Sequence, residues 1–188
     1  KDIAEGAAKM TRTKLEIQVE TDCHELIPNT PLAELCHENL VAVGPPSFTA
    51  EEEAFARRLQ QPLIEEFGTK FEKPIDAAVH SLAESSSPSK GSTDVGDVSW
   101  HVPTMGIRTT CFASESPGHS WQNVAAIGST IGEKGTVYAA KVLAVTALDL
   151  LEKPQLVTAA RADFESRMKD REYTTLVPEG QTAPASIR

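Results

Sequence analysis

His119 stands at the end of a Pro-Gly turn in "SESPGHSWQ", residues 114 to 122, between a strand-like run and a long apolar stretch. Loops that follow strands are where α/β folds place metal ligands and acid–base groups. The same residue would serve equally as a hydrogen-bonding histidine of a surface turn, because chemistry needs several groups at one point. Trp121 offers a large ring that could wall a pocket beside it. Asp94 and Asp97, in "STDVGDVS", are the next candidates. Three apart, they share one side of a helical turn, as paired carboxylates must to bind a metal, exchange a proton or orient a histidine. Helix capping is the stronger account of Asp94, since Ser92, Thr93 and Asp94 are all good N-cap types. Asp97 is harder to dismiss, with Val95, Val98 and Trp100 around it, and His101 could join it. His24, His37 and His80 sit in polar or helical contexts and read as structural. His24 beside Cys23 has the residue types of a metal pair, with nothing nearby to complete it. Nucleotide fingerprints, a nucleophile elbow and HExxH are absent from the sequence.

These residues need elements to position them. "KLEIQVE", residues 14 to 20, alternates apolar and polar positions and predicts a strand, and "GIRTTCFA" at 106 to 113 a second. Thr30 followed by Pro31 predicts a helix start, running to about Leu40. Thr49 with Glu52 forms a capping-box pattern opening a helix striped by Phe55, Leu59, Leu63 and Phe67, with a kink expected at Pro62. "SSSPSKGS", from Ser85 to Ser92, reads as a polar loop. Thr130 and Glu133 predict a second capping box, and residues 131 to 152 are apolar on nearly every side, as in a buried helix. Gly135 within it reads as a point of close packing. Pro154 starts a further helix to about Lys169, and residues 171–188 read as a tail. Helix, strand, loop, strand and buried helix together predict an α/β protein.

The bulk properties narrow the function classes. The 188-residue chain carries a formal charge of −9 with no basic cluster, which argues against nucleic acid and anionic membrane as partners. Cys23, Cys36 and Cys111 form no CxxC pair, a usage that fits a reducing, cytoplasmic setting. The chain opens on "KDIAEGAAKMTRT", which reads as the later half of a helix and predicts that something longer precedes it.

Several segments, in order, carry a resemblance: "IAEGAAKMT", "LIPNTPLAELCHENL", "EEEAFARRLQ", "GSTDVGDVSWHVP" and "PGHSWQNVAAIGSTIGEKGTVYAAKVLAVTALDLL". Over roughly residues 1 to 155 the chain resembles the C-terminal part of amidohydrolases of the aminobenzoyl-glutamate utilization protein B type. These belong to the metallopeptidase superfamily of aminoacylases, carboxypeptidases and hippurate hydrolases. The resemblance implies that residues 1–29 end a lid and dimerisation domain and that residues 30–170 form the C-terminal half of an α/β catalytic domain. It implies a site of two divalent metal ions, zinc or manganese, whose activated water hydrolyses a small-molecule N-acyl or p-aminobenzoyl amino acid amide. His119 matches a metal-ligand histidine. Asp94, Asp97, His101, Trp121 and Gln122 match positions that support or line the site. The catalytic glutamate and the other ligands would lie upstream of Lys1, so the resemblance assigns no catalytic residue to this chain and implies that the chain alone is inactive. A homodimer through the lid is implied as well.

Overall fold

The computed structural model describes residues 1–82 and 91–181; most of the polar loop expected from Ser85 to Ser92 and the last seven residues of the expected tail lie outside them. The helices there are α1 (Asp2–Thr11), α2 (Thr30–Val43), α3 (Ala50–Phe67), α4 (Val95–Ser99), α5 (Trp121–Ile127), α6 (Thr130–Glu152) and α7 (Pro154–Met168). No strand occurs among the described residues, which overturns the α/β expectation. The reason is physical. Alternation makes a segment sided, but a strand exists only when its backbone joins a ladder with a second one. Residues 14–20 and 106–113 take part in no such ladder. In the first of these runs Leu15 and Ile17 are themselves 36% and 51% exposed, so its alternation marks no buried face in this chain.

The helices form where local chemistry starts and stops them. The box at Thr49 is complete: Thr49 Oγ1 accepts from the Glu52 amide, and the Thr49 amide donates to the Glu52 carboxylate. α3 continues through Pro62 and ends at Gly68, whose φ of 65° supplies a left-handed stop. Leu59 and Leu63 of its expected stripe are buried, whereas Phe67 is exposed. α2 is capped one residue earlier than the Thr30-Pro31 signal, by Asn29, whose side chain accepts from the Leu32 amide. α6 is likewise capped by Ser129, not by Thr130. The Thr130 hydroxyl instead donates to Glu52 across to α3.

α2 lies against α6 and α7, and α5 bridges α3 and α6. Buried polar groups tie these layers. Asn39 donates to Thr146 and Asp149 of α6, Asn29 donates to the Ala160 carbonyl of α7, and the Tyr138 hydroxyl donates to the Leu40 carbonyl. The apolar core joins α3, α5 and α6 through Ala56, Leu59, Ala126 and Ile131, closed by Ile75 and Ala113 from loops. α6 is not buried all round, contrary to its apolar sequence. Its packed face holds Ile131, Tyr138 and Val142, while Val137, Leu143 and Leu148 are about half exposed and Leu151 more so.

Gly135 is a point of close packing, as its place in the helix suggests. A methyl group there would strike the Thr110 carbonyl oxygen and stand 2.6 Å from Cys111 Sγ. The 106–113 segment therefore crosses α6 at backbone contact, and Thr109 Oγ1 donates to the Gly135 carbonyl at 3.0 Å. Gly135→Ala should cost about 2–3 kcal/mol by overpacking, read as a lowered urea midpoint. Gly6→Ala is the control: no atom lies within 4 Å of the added methyl, so the chain should gain up to ~1 kcal/mol from helix propensity alone.

Candidate functional site

Two separate neighbourhoods hold the candidate residues. The first is the turn that carries His119. Gln60, buried on α3, sends its amide to the carbonyls of Lys73, Pro74 and Ser114, and the Ser114 amide donates to the Pro74 carbonyl at 2.9 Å. This fixes the entry to the turn. At the exit, Ser120 caps α5 by accepting from the Asn123 amide, and Asn123 Nδ2 reaches back to the Pro117 carbonyl at 3.1 Å. Between these anchors His119 takes the left-handed conformation, with φ of 55°, as does Glu115. Such a conformation is uncommon outside glycine and costs free energy that surrounding structure must offset. The His119 ring is exposed and hydrogen-bonds to no described residue. Trp121 beside it is 58% exposed, while Gln122 points inward and is buried. Ser114 Oγ, Ser116 Oγ and Asn123 Oδ1, all on this turn or its exit, are buried without a partner.

The second neighbourhood gathers around Asp97. Asp97 Oδ1 accepts from His24 Nδ1 at 2.9 Å and from the Tyr173 hydroxyl at 3.2 Å. Since a carboxylate only accepts, Nδ1 of His24 is the donor in this bond. The His24 ring lies 4.7 Å from Trp100 and 4.6 Å from Tyr173, and His101 packs on Tyr173 at 4.7 Å. Hydrogen bonding from His24, joined by that from Tyr173, holds the Asp97 carboxyl below its ordinary range against the opposing effect of partial burial. Burial, followed by the charge of Asp97, pushes the Tyr173 phenol up.

Gly96 makes this meeting geometrically possible. A methyl group there would land on the backbone carbonyl oxygen of His24, so only glycine lets residues 24 and 25 lie directly across α4. Ser99 completes the crossing: its buried hydroxyl accepts from the Ile27 amide at 2.8 Å and donates to the Gly96 carbonyl. Trp100 Nε1 donates to the Glu25 carbonyl at 2.9 Å.

Asp97 and His101 both reach Tyr173, whereas Asp94 lies apart from them. Asp94 occupies the N-cap position of α4 without capping it, because its carboxylate accepts only a 3.5 Å contact from Thr93, whose own hydroxyl accepts from the Val95 amide. No hydrogen bond, ion pair or ring contact links the Asp97 cluster to the His119 turn among the described residues. Sequence reading took His24 as structural, or as a metal pair with Cys23, and passed over Tyr173; neither was joined to Asp97. They lie 73 and 76 positions from Asp97, a separation at which no local spacing signal operates.

Among the described residues no three His, Cys, Asp or Glu side chains converge as a metal-ligand set. His119 fits as one ligand of a shared set, being exposed and unpaired. Among the described residues, one groove of 340 Å³ runs along α6 beside Lys134, Tyr138 and Lys141, and another of 170 Å³ lies at Glu72, Asp76 and Ser114. Neither includes His119 or Asp97. No helix among the described residues is long and apolar enough to cross a membrane.

Comparison with known proteins agrees with the resemblance. The chain is 30% identical over 200 aligned residues to one subunit of the p-aminobenzoyl-glutamate hydrolase of Escherichia coli (strain K12), an alignment that takes in 96% of this chain and 42% of that protein. It is 38% identical over 88 residues to the human Xaa-Arg dipeptidase, and 36% over 83 residues to the mouse one, covering 46% and 44% of this chain and 20% and 19% of theirs. No family model matches, and no solved structure does. The chain spans less than half the length of these relatives. Similarity along nearly all of its length places the chain in the amidohydrolase and peptidase family of that bacterial p-aminobenzoyl-glutamate hydrolase.

Proposed function

We propose that this chain contributes to a metal-dependent hydrolase that cleaves the amide bond of an N-acyl, p-aminobenzoyl or dipeptide substrate and releases an amino acid. The observation that carries the reading is His119: an exposed, unpaired imidazole held left-handed in a turn anchored at both ends. The relatives' names supply the substrate class, one a hydrolase of p-aminobenzoyl-glutamate and the others Xaa-Arg dipeptidases. His119 would hold one of two divalent ions, zinc or manganese, with ligands from outside the described residues. A bound ion of this kind lowers the pKa of its water and polarises the scissile carbonyl. Within this chain, the Gln60 and Asn123 hydrogen bonds keep the His119 turn in place, and Trp121 offers an apolar wall next to it. The bacterial relative is named as a subunit of its hydrolase, which supports assembly with a further subunit, and pairing of two copies is the alternative arrangement.

The test is hydrolysis of p-aminobenzoyl-glutamate and of an Xaa-Arg dipeptide by the protein made from its complete reading frame. Turnover of one of them, abolished by a chelator and restored by zinc or manganese, is the expected result. Folded protein that turns over neither, with or without added metal, would favour a non-catalytic binding module of the same family.

A further inference from the structure

Residues 171–181, which follow α7, are fastened to the rest of the chain mainly by polar bonds. Arg171 Nη1 donates to Glu25 at 2.8 Å and its guanidinium lies over the Trp100 ring, 5.7 Å from the centroid. The Tyr173 hydroxyl donates to Asp97. Thr175 Oγ1 and the Leu176 amide both donate to the Asp22 carboxylate, and Gln181 Nε2 donates to the Val19 carbonyl at 2.9 Å. Leu176, the largest aliphatic side chain of the segment, is 76% exposed and anchors nothing. A segment held mainly by exposed polar bonds, with the Tyr173 ring as its one packed side chain, opens at lower free energy than the core.

What lies beneath this strap is the imidazole of His24. Its Nδ1–H is committed to Asp97, its Nε2 has no hydrogen-bond partner among the described residues, and the Tyr173 ring lies tilted against it at 4.6 Å. Only 16% of the side chain reaches solvent. We propose that residues 171–181 form a releasable cover over the His24–Asp97 pair, with Tyr173 as the part that shields the ring. Closed, the strap keeps a carboxylate-oriented histidine out of solvent; open, it uncovers the Nε2 edge of the ring. The proposal rests on the cluster's own geometry and stands whether or not the chain belongs to an active hydrolase.

Acylation by diethyl pyrocarbonate, followed site by site with mass spectrometry in chelator-treated full-length protein, tests it. His119, exposed and unpaired, is the internal reference. His24 should react at least about threefold more slowly than His119 in the wild type, its reaction limited by strap opening. Asp22→Ala, which frees the strap at a point remote from the ring, and Tyr173→Ala, which removes the shield, should each bring His24 to the His119 rate. Hydrogen exchange supplies a readout free of any substitution: the Leu176 amide should exchange far faster than amides in the middle of α6. Wild-type His24 reacting as fast as His119 would overturn the proposal. So would His24 staying slow in both variants with native circular dichroism, or a Leu176 amide protected as long as the α6 core.

Discussion

His119→Ala in the complete protein is expected to cut amide hydrolysis by more than about a hundredfold while leaving the fold intact. The size follows from metal chemistry: even the outer partners of a ligand are worth roughly 10–100-fold, so loss of a ligand itself should exceed that. The fold should tolerate the change because the ring is exposed and bonded to no described residue. His119→Gly sharpens the test. At φ of 55° glycine relieves a left-handed strain of about 1 kcal/mol that any side chain carries. That variant should be as inactive as the alanine one, yet at least as stable as the wild type. A residue whose loss removes activity without lowering the melting temperature is placed for chemistry. Activity surviving in both variants would remove His119 from the site.

The second large effect concerns stability. Glu52 ties the start of α3 to α6. It receives the Thr49 amide and the Thr130 hydroxyl, and pairs with Lys134 at 2.7 Å, itself 5.5 Å from the Phe48 ring centroid. Burial works to raise its pKa, but hydrogen bonds from Lys134, Thr130 and the Thr49 backbone outweigh it and bring the value down to about 2 from 4.5. Removing one member of such a pair leaves the other groups uncompensated, and Glu52→Ala should cost about 3 kcal/mol. Thr49→Ala, which removes only the cap, should cost about 1 kcal/mol. The pH dependence has a definite sign. Because the folded-state pKa is depressed, the stabilisation is complete above about 4.5, is lost as pH falls toward 2, and amounts to roughly 3 kcal/mol at about 1.4 kcal/mol per unit. Melting curves taken from about pH 5 down to about pH 2 should show this fall in the wild type and a flatter profile in Glu52→Gln.

How far the sequence carried these conclusions depended on range. The Thr49–Glu52 box and the helix from Pro154 are written within a few residues of where they act, and the structure has both. The turn at His119 was legible for the same reason, since Pro117 and Gly118 stand directly before it. Strands are another matter. The runs at 14–20 and 106–113 carry strand patterns, but a ladder needs a second segment, and the described residues supply none. The apolar circumference of α6 misled similarly, because composition cannot say that only the face bearing Ile131 and Val142 meets another helix here. The His24–Asp97 pair depends on Gly96 admitting the backbone of His24, with Ser99 receiving the Ile27 amide from 72 residues away. The glycine was visible in the sequence, but its partner was not.

The most direct test of the account is metal content per chain in the protein expressed from its complete reading frame, measured with and without His119→Ala. The account predicts about two divalent ions per chain in the wild type, the number that the proposed two-metal site would hold, and a clear fall in the variant at unchanged circular dichroism. Equal metal content in both proteins, or none in either while both remain folded, would contradict it.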